Sequence, residues 1–390
     1  MKLLALKLAA SRAMSALIGF AGIAFIARTH PLEVVGEINV LIAVVQVAAL
    51  GLGLGLSTAI VYSSRADVST ARQLTVHACV RTLGLTIPAI AIGSMFSSSY
   101  ALVALSAGLL AVLGHVAGFL QSNQEFDRQA LLMVLQSCML PAANQLALLV
   151  SHGAVYFLIA YAVANLALAL AFVTLVVKPW RCFEYPFAYP EKAFYRYGLT
   201  ALGHNGVNAV WYSADILLVR YGLAGDFLGI YSVAASVAKS SWIVVDSVGL
   251  IIFPRKIAGT LSDRQYRRVQ GICVVYGLGV VTMWLWLGNA FLGLVFGPNY
   301  TEAFPIVLVL LVGSLAVGVY KLESRLIAAT GKWGVLNIAQ VLGLCLSIGA
   351  AAYFGHAQGG IGVAVGQGLG FLVSATVLYG IGCWLRRGHS

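Results

Sequence analysis

Long apolar segments separated by short polar ones run through almost the whole chain. Three stretches contain no Lys, Arg, Asp or Glu: Thr82–Gln124, Gln129–Val177 and Trp333–Leu385. Each is about twice as long as the ~20 residues that one helix needs to cross a bilayer. Clusters of Gly, Pro, Ser and charged residues mark the breaks between apolar runs. They predict twelve helical spans, near residues 13–28, 35–62, 79–96, 100–120, 129–150, 154–177, 197–221, 228–252, 270–296, 303–322, 333–354 and 361–384.

The composition excludes a soluble protein. Of the 390 residues, 60% are hydrophobic and only 9% are charged, whereas a soluble domain carries about 25% charged residues. A globule of this size has too little polar surface to cover so many apolar side chains. We therefore predict an all-α integral membrane protein with twelve transmembrane helices.

The positions of the basic residues set the expected orientation. All of the 24 Lys and Arg residues except Arg28, Arg220 and Lys239 fall on one side of the predicted spans. Since positive residues collect in cytoplasmic loops, both termini are expected in the cytoplasm. The net charge of +11 is spread over short loops, so we expect no nucleic acid partner. The six cysteines are scattered without metal-ligand spacing, and neither a metal nor a cofactor is expected.

The longest charged connection divides the spans into six and six. We predict an N-terminal lobe at 1–178, a cytoplasmic linker at 179–196 and a C-terminal lobe at 197–390. An even number of spans per lobe gives both lobes the same orientation, related by an axis along the membrane normal. A local echo supports a repeat: Arg28 precedes Gly36, and Arg220 precedes Gly229, each across a short outer loop. Ordinary interface chemistry is the alternative explanation of this echo.

Two segments carry a resemblance to a known family. They are DILLVRYGLAGDFLGIYSVA at Asp215–Ala234 and GFAGIAFIARTHPLEVVGEINVL at Gly19–Leu41. With the six-plus-six pattern, they resemble the O-antigen and polysaccharide flippase family of the multidrug, oligosaccharidyl-lipid and polysaccharide exporter superfamily. The matching positions are Asp215, Gly229, Tyr231 and Gly36.

The resemblance implies a fold and a function. It implies a MATE-like V shape, in which two bundles enclose a central cavity. It also implies that an undecaprenyl-diphosphate-linked oligosaccharide is moved from the inner to the outer leaflet of the bacterial cytoplasmic membrane by alternating access. Membrane lipids and other glycan-assembly proteins are then the expected partners. The N-terminal half departs from the pattern expected for ion coupling, because it has no charged residue in mid-span.

Ionisable residues inside the membrane are the candidate functional residues, because each costs at least ~2.5–3.5 kcal/mol to insert. They gather in spans seven and eight. At about 100° per residue, His204, Asn208, Trp211 and Asp215 form one polar stripe, and Ser232, Ser236, Lys239 and Asp246 form another.

Helical depth suggests how these stripes pair. Counted from the outer loop at ~1.5 Å per residue, Asp215 and Lys239 lie about 10 and 17 Å deep, and their side chains lean toward each other. In one arrangement Asp215 pairs with Lys239, and His204 and Asp246 form a second pair at matching depth. In the other arrangement each stripe turns toward the opposite lobe.

Each of these residues has two interpretations. Lys239 is either a lumen cation that attracts diphosphate or half of a structural ion pair. Asp215 and Asp246 are either coupling groups or structural partners. His204 either titrates or hydrogen-bonds to a neighbouring helix. The coupling ion, H⁺ or Na⁺, is left open.

Weaker signals have structural explanations. The glycines of Gly51–Ala59 lack the lysine of a phosphate-binding loop, and we interpret them as sites of helix contact or bending. Arg28 and Arg220, at the outer rim, are interpreted as interface anchors.

Three other functions compete with the flippase. A multidrug cation antiporter of the same superfamily would need acidic residues in the spans of the N-terminal lobe, and this chain has none there in mid-span. A membrane glycan polymerase or glycosyltransferase would need paired carboxylates and large loops, which the chain lacks, so it is not expected to be an enzyme. A channel would need a selectivity-filter sequence, and the chain contains none.

Overall fold

The protein is helical throughout the part that the structure describes. The computed structural model describes residues 2–64, 67–151, 153–184, 192–222, 225–257, 261–330 and 332–387, and forms no strand in these ranges. Its α-helices are α1 (Lys2–Thr29), α2 (Leu32–Gly53), α3 (Leu56–Ser63), α4 (Val68–Phe96), α5 (Ser98–Ser122), α6 (Phe126–Leu148), α7 (Ala154–Phe172), α8 (Lys192–Gly222), α9 (Gly225–Ser240), α10 (Ile243–Ile257), α11 (Asp263–Val295), α12 (Phe304–Ala329) and α13 (Trp333–Arg387).

Most of these helices are long and apolar enough to cross a membrane. Within the described ranges, eight stretches meet this condition, or nine if the bent pair α9–α10 is one span. The stretch Trp333–Trp384 counts once among the eight, although α13 has a non-helical residue, Gly359, with φ 60° and ψ −139°. The break agrees with the predicted boundary between spans eleven and twelve. The full count of twelve stays a prediction.

Polar side chains begin several helices where the sequence offers a cap. Asp67 accepts hydrogen bonds from the backbone N–H groups of Ser69 and Thr70 at the start of α4. Hydrogen bonds from Thr70 and Ser69 lower the pKa of Asp67 to about 2, so this cap stays charged at neutral pH. Ser262 begins α11 with a capping box that includes Gln265.

The second predicted span, 35–62, is wrong as a single helix. It consists of α2 and α3, which are separated at Leu54 and Gly55 by positive φ angles of 49° and 67°. Gly55 lies against the backbone of α8, where an added Cβ would collide with the carbonyl of Gly198 and lie 2.8 Å from the N of Leu202. The interpretation of Gly51–Ala59 as a site of contact and bending is confirmed.

The eighth predicted span, 228–252, is also wrong as a single helix. It bends by 41° between α9 and α10. At the bend, Ser241 and Trp242 N–H donate to the carbonyls three residues earlier, and the Ser240 and Ser241 hydroxyls also donate to carbonyls three residues back. Such side-chain bonds compete with the helical ladder. Lys239 and Asp246 therefore lie on two different helices, and the predicted common stripe is interrupted.

The chain divides into two compact units. The first comprises Met1–Gly22 and Val40–Val210, and the second comprises Ile23–Asn39 and Trp211–Ser390. The predicted lobes instead divide the chain at the linker 179–196. The second unit thus begins inside α8 and includes the end of α1 and the start of α2.

Close backbone contact explains why Ile23–Asn39 belongs to the second unit. A Cβ on Gly36 would lie 2.7 Å from Leu228 Cγ and 2.8 Å from Gly229 N. Three residues further along each helix, Asn39 Nδ2 donates to Ser232 Oγ at 3.2 Å. The two glycines of the predicted Arg-loop-Gly echo are therefore in contact.

Arg28 has a more specific role than interface anchoring. Its guanidinium donates from Nε to the carbonyl of Val295 at 2.8 Å and from Nη2 to the carbonyl of Leu294. These are the last carbonyls of α11, where a cation is favoured by the helix dipole.

A substitution at the α2–α3 break tests its geometry. Gly55→Ala is expected to destabilise the protein by about 2–4 kcal/mol, because an L-residue is strained at this φ and its Cβ meets the backbone of α8. Thermal unfolding of the purified protein measures the effect. Gly51→Ala is the matched control, since nothing lies within 4 Å of its added Cβ. Equal stabilities of both variants and wild type would contradict the assignment.

Candidate functional site in the second unit

An ion pair joins α8 to α9 in the interior of the second unit. Lys239 Nζ lies 3.0 Å from both carboxylate oxygens of Asp215. The Asp215 side chain is completely buried, and that of Lys239 is 22% exposed. The Asp215–Lys239 pair that helical depth predicts is therefore formed.

The pair is completed by groups from the same two helices. Lys239 Nζ also donates to the carbonyl of Tyr212 at 2.6 Å. The backbone N–H of Ile216 donates to Asp215 Oδ1 at 2.9 Å, and the Tyr231 hydroxyl donates to Oδ2 at 3.4 Å. Asp215 thus has a cation and two neutral donors, which offset its loss of water.

A small cavity lies beside this pair. It is lined by Asp215, Lys239, Trp242, Gln367 and Phe371 among others, with a volume of about 10 Å³. That is room for about one water molecule. The cavity therefore offers little space for water beside the pair.

A second ion pair joins α10 to α12. Lys321 Nζ lies 2.8 Å from Asp246 Oδ2 and 2.9 Å from Oδ1. The same ammonium lies over the rings of Trp242, at 4.7 Å, and Tyr212, at 5.1 Å. One carboxylate and two aromatic faces thus surround one cation, an arrangement typical of organic cation recognition.

This second pair gives Asp246 a partner that helical depth does not suggest. Depth matches Asp246 with His204, and Lys321 counts in the sequence only among the basic residues on one side of the predicted spans. The α9–α10 bend places Asp246 on α10, where its carboxylate meets Lys321 of α12. The His204 ring lies 3.5 Å from Asn208 Nδ2 one turn along α8, and both side chains are half-buried.

Besides Asp215, Glu323 is a second buried acid of the described residues, and the sequence pattern does not predict it. Glu323, on α12, is completely buried and accepts a hydrogen bond from Gln270 Nε2 of α11 at 2.7 Å. It lies between Lys321 and Arg325 in the sequence, a run that reads as a charged helix end. The signal that could have revealed it is the polar triplet 323–325, which four apolar residues follow before the 26-residue helix ends.

Trp242 lies between two cavities of the second unit. It lines the small cavity beside Lys239 and also a larger one of about 30 Å³, together with Gln270, Cys273 and Tyr276. Its indole Nε1 donates to Ser314 Oγ at 2.8 Å, which fixes the ring. Because it follows the α9–α10 bend, any change in that bend would move the ring relative to both cavities.

The remaining candidates have diverse positions. Trp211 is completely buried in a cluster with Tyr320 and Phe371; it stacks on Phe371 at 4.3 Å and donates to Ser347 Oγ at 2.7 Å. Its surroundings are those of a packed core. Arg220 is exposed at the end of α8.

Comparison with family models and with curated proteins yields no match. No protein-family model matches the chain, and no curated protein sequence matches it.

Comparison with solved structures yields clear neighbours. An inward-facing multidrug resistance MATE family transporter of the MOP superfamily matches with a TM-score of 0.73 and 16% identity, over 95% of this chain and 94% of that one. An outward-facing structure of such a transporter matches with a TM-score of 0.67 and 18% identity, over 98% and 94%. A MOP superfamily transporter from Pyrococcus furiosus Vc1 matches with 0.67 and 15%, over 98% and 95%.

These matches define the fold. The chain has the all-helical fold of MATE transporters of the MOP superfamily over nearly its whole length. The predicted all-α, MATE-like fold class is confirmed, while the count of twelve helices and the cytoplasmic termini stay predictions. At such low identities, the site residues of this chain have to be interpreted from its own geometry.

Removal of one partner of the buried pair tests its energetics. Lys239→Met leaves a buried carboxylate without its cation, and we expect a loss of about 3–5 kcal/mol in alkali-free buffer. The double variant Asp215→Asn, Lys239→Met removes both charges and is expected to recover most of that loss. Thermal unfolding of the purified variants gives the coupling energy.

The exposed pair of Arg128 with Glu125 is the matched control. Their distance is 2.5 Å, but the side chains are 59% and 32% exposed. Arg128→Ala should therefore change stability by less than about 1 kcal/mol. Similar losses in Arg128→Ala and Lys239→Met would contradict a special role of burial.

Proposed function

We propose that this protein is a membrane transporter that moves a lipid-linked oligosaccharide across the bacterial cytoplasmic membrane by alternating access. The observation that carries the transport function is the MATE fold over 95% of the chain. The substrate class rests on the resemblance of Asp215–Ala234 and Gly19–Leu41 to polysaccharide flippases.

The Asp215–Lys239 pair is the site that we propose to act in the transport cycle. The Lys239 ammonium neutralises the buried Asp215 carboxylate and also binds the Tyr212 carbonyl, so the proposed role of the pair is to hold α8 against α9 and not to bind the phosphates of the substrate. The P. furiosus neighbour is described as having a binding pocket of reverse polarity that suggests a different function, so the fold accommodates more than one kind of pocket. The partners of this transporter would be membrane lipids and other glycan-assembly proteins.

A multidrug cation antiporter is the second candidate function. Two neighbours are multidrug resistance transporters. In this chain, the specific observation in its favour is the group formed by Asp246, Trp242 and Tyr212 around the Lys321 ammonium. A quaternary ammonium drug could take the place of Lys321 against the same aromatic faces.

A reconstitution experiment tests the proposed function. Proteoliposomes containing a labelled undecaprenyl-diphosphate-linked oligosaccharide should show protein-dependent movement of label to the opposite leaflet, measured by its accessibility to an added glycosidase. Per inserted protein, Lys239→Met and Asp215→Asn should slow this movement by about tenfold or more, because each disrupts the charge balance of the second unit. Arg128→Ala should match wild type.

Each outcome has a distinct meaning. Absence of movement with wild type would contradict the substrate class. Full movement with both Lys239→Met and Asp215→Asn would contradict the site. A rise in resistance to cationic drugs, when the chain is expressed in an efflux-deficient host, would favour the antiporter.

A further inference from the structure

The ammonium of Lys239 has the oxygen surroundings of a bound metal cation. Three oxygens lie around Nζ: the Tyr212 carbonyl at 2.6 Å and the two Asp215 carboxylate oxygens at 3.0 Å. Main-chain carbonyls coordinate Na⁺ in membrane transporters, and carboxylate oxygens are ligands of hard metal cations. The geometry is built by α8 alone, and the lysine enters it from α9.

The charged carboxylate of Asp215 requires a cation beside it. Asp215 is completely buried, so its charge is stable only beside a positive charge. Two sources of that charge exist in principle: a side chain of the protein, or an ion from solution. Lys239 lies in the last turn of α9 before the bend, and it lines the small cavity together with Asp215. If the lysine were shortened, that cavity would extend to the carboxylate and admit an ion with its water.

We propose that Lys239 Nζ is a tethered cation that fills an alkali-cation site formed by the Tyr212 carbonyl and the Asp215 carboxylate. The protein therefore neutralises Asp215 without Na⁺ or K⁺. The consequence for transport rests on the function proposed above: the cycle carries no alkali ion at this position.

Thermal unfolding in different salts tests this proposal without any transport measurement. Wild type, Lys239→Ala, the double variant Asp215→Asn, Lys239→Ala and the single variant Asp215→Asn are purified in detergent. Each is measured in NaCl, KCl and N-methylglucamine chloride at one ionic strength, and the alkali salt is then varied at constant ionic strength. Alanine removes the ammonium and leaves space, while the double variant also removes the charge that an ion would bind.

Only Lys239→Ala is expected to respond to alkali ions. Wild type should have the same Tm in all three salts. Lys239→Ala should be less stable in N-methylglucamine chloride and should gain roughly 2–4 °C in Na⁺ or K⁺ at about ten times the dissociation constant, with saturation. The double variant should again be insensitive to the choice of salt.

Two results would overturn the proposal. One is a folded Lys239→Ala protein whose Tm does not depend on alkali ions. The other is alkali stabilisation of wild type that disappears in Asp215→Asn, which would show an ion binding at Asp215 with the lysine present. The second result comes from wild type and Asp215→Asn alone. It can therefore contradict the proposal even if Lys239→Ala does not fold.

The transport arm separates this proposal from the proposed function. If wild type moves a lipid-linked oligosaccharide equally well in N-methylglucamine chloride and NaCl, both proposals are supported. If wild type moves none but Lys239→Ala gains alkali-dependent stability, the substrate class fails and the tethered cation stands.

Discussion

A carboxylate that is completely enclosed by protein is stable only with a positive charge at contact distance, and much of the second unit is arranged around this requirement. Asp215 sits on α8, and its cation comes from α9. Tyr231, next to the glycine crossing of α9, donates to the same carboxylate. The segment that resembles polysaccharide flippases thus contains the acid, its hydroxyl donor and the start of the helix that delivers the lysine.

The α9–α10 bend distributes charge between two places. Without it, Lys239 and Asp246 would lie on one face of a single helix. With it, Lys239 turns to Asp215, and Asp246 turns to Lys321 on α12. Trp242, immediately after the bend, is in contact with the second cation and also lines the cavity beside the first. The two ion pairs are therefore mechanically linked through one short segment.

Hydropathy and helical spacing predict much of this structure. Long apolar runs give the helices, and the spacing and depth of Asp215 and Lys239 give their pair. The helix breaks at Gly55 and Ser241 are not predicted, because the apolar pattern continues across them. The positive φ angles and the serine hydrogen bonds that cause the breaks leave no mark on that pattern. The partner of Asp246 escapes because it depends on the direction that α10 takes after the bend. The burial of Glu323 is not predicted, because its charged neighbours suggest a helix end near the aqueous phase. In the structure, packing of α11 on α12 buries it.

The contact between Gly36 and Gly229 brings like residues together, and Asn39 and Ser232 meet three residues beyond them. A Cβ on Gly36 would overlap the main-chain N of Gly229, and a Cβ on Gly229 would overlap the carbonyl of Leu32. A larger residue at either position would therefore force α2 away from α9 and would stretch the hydrogen bond between Asn39 and Ser232.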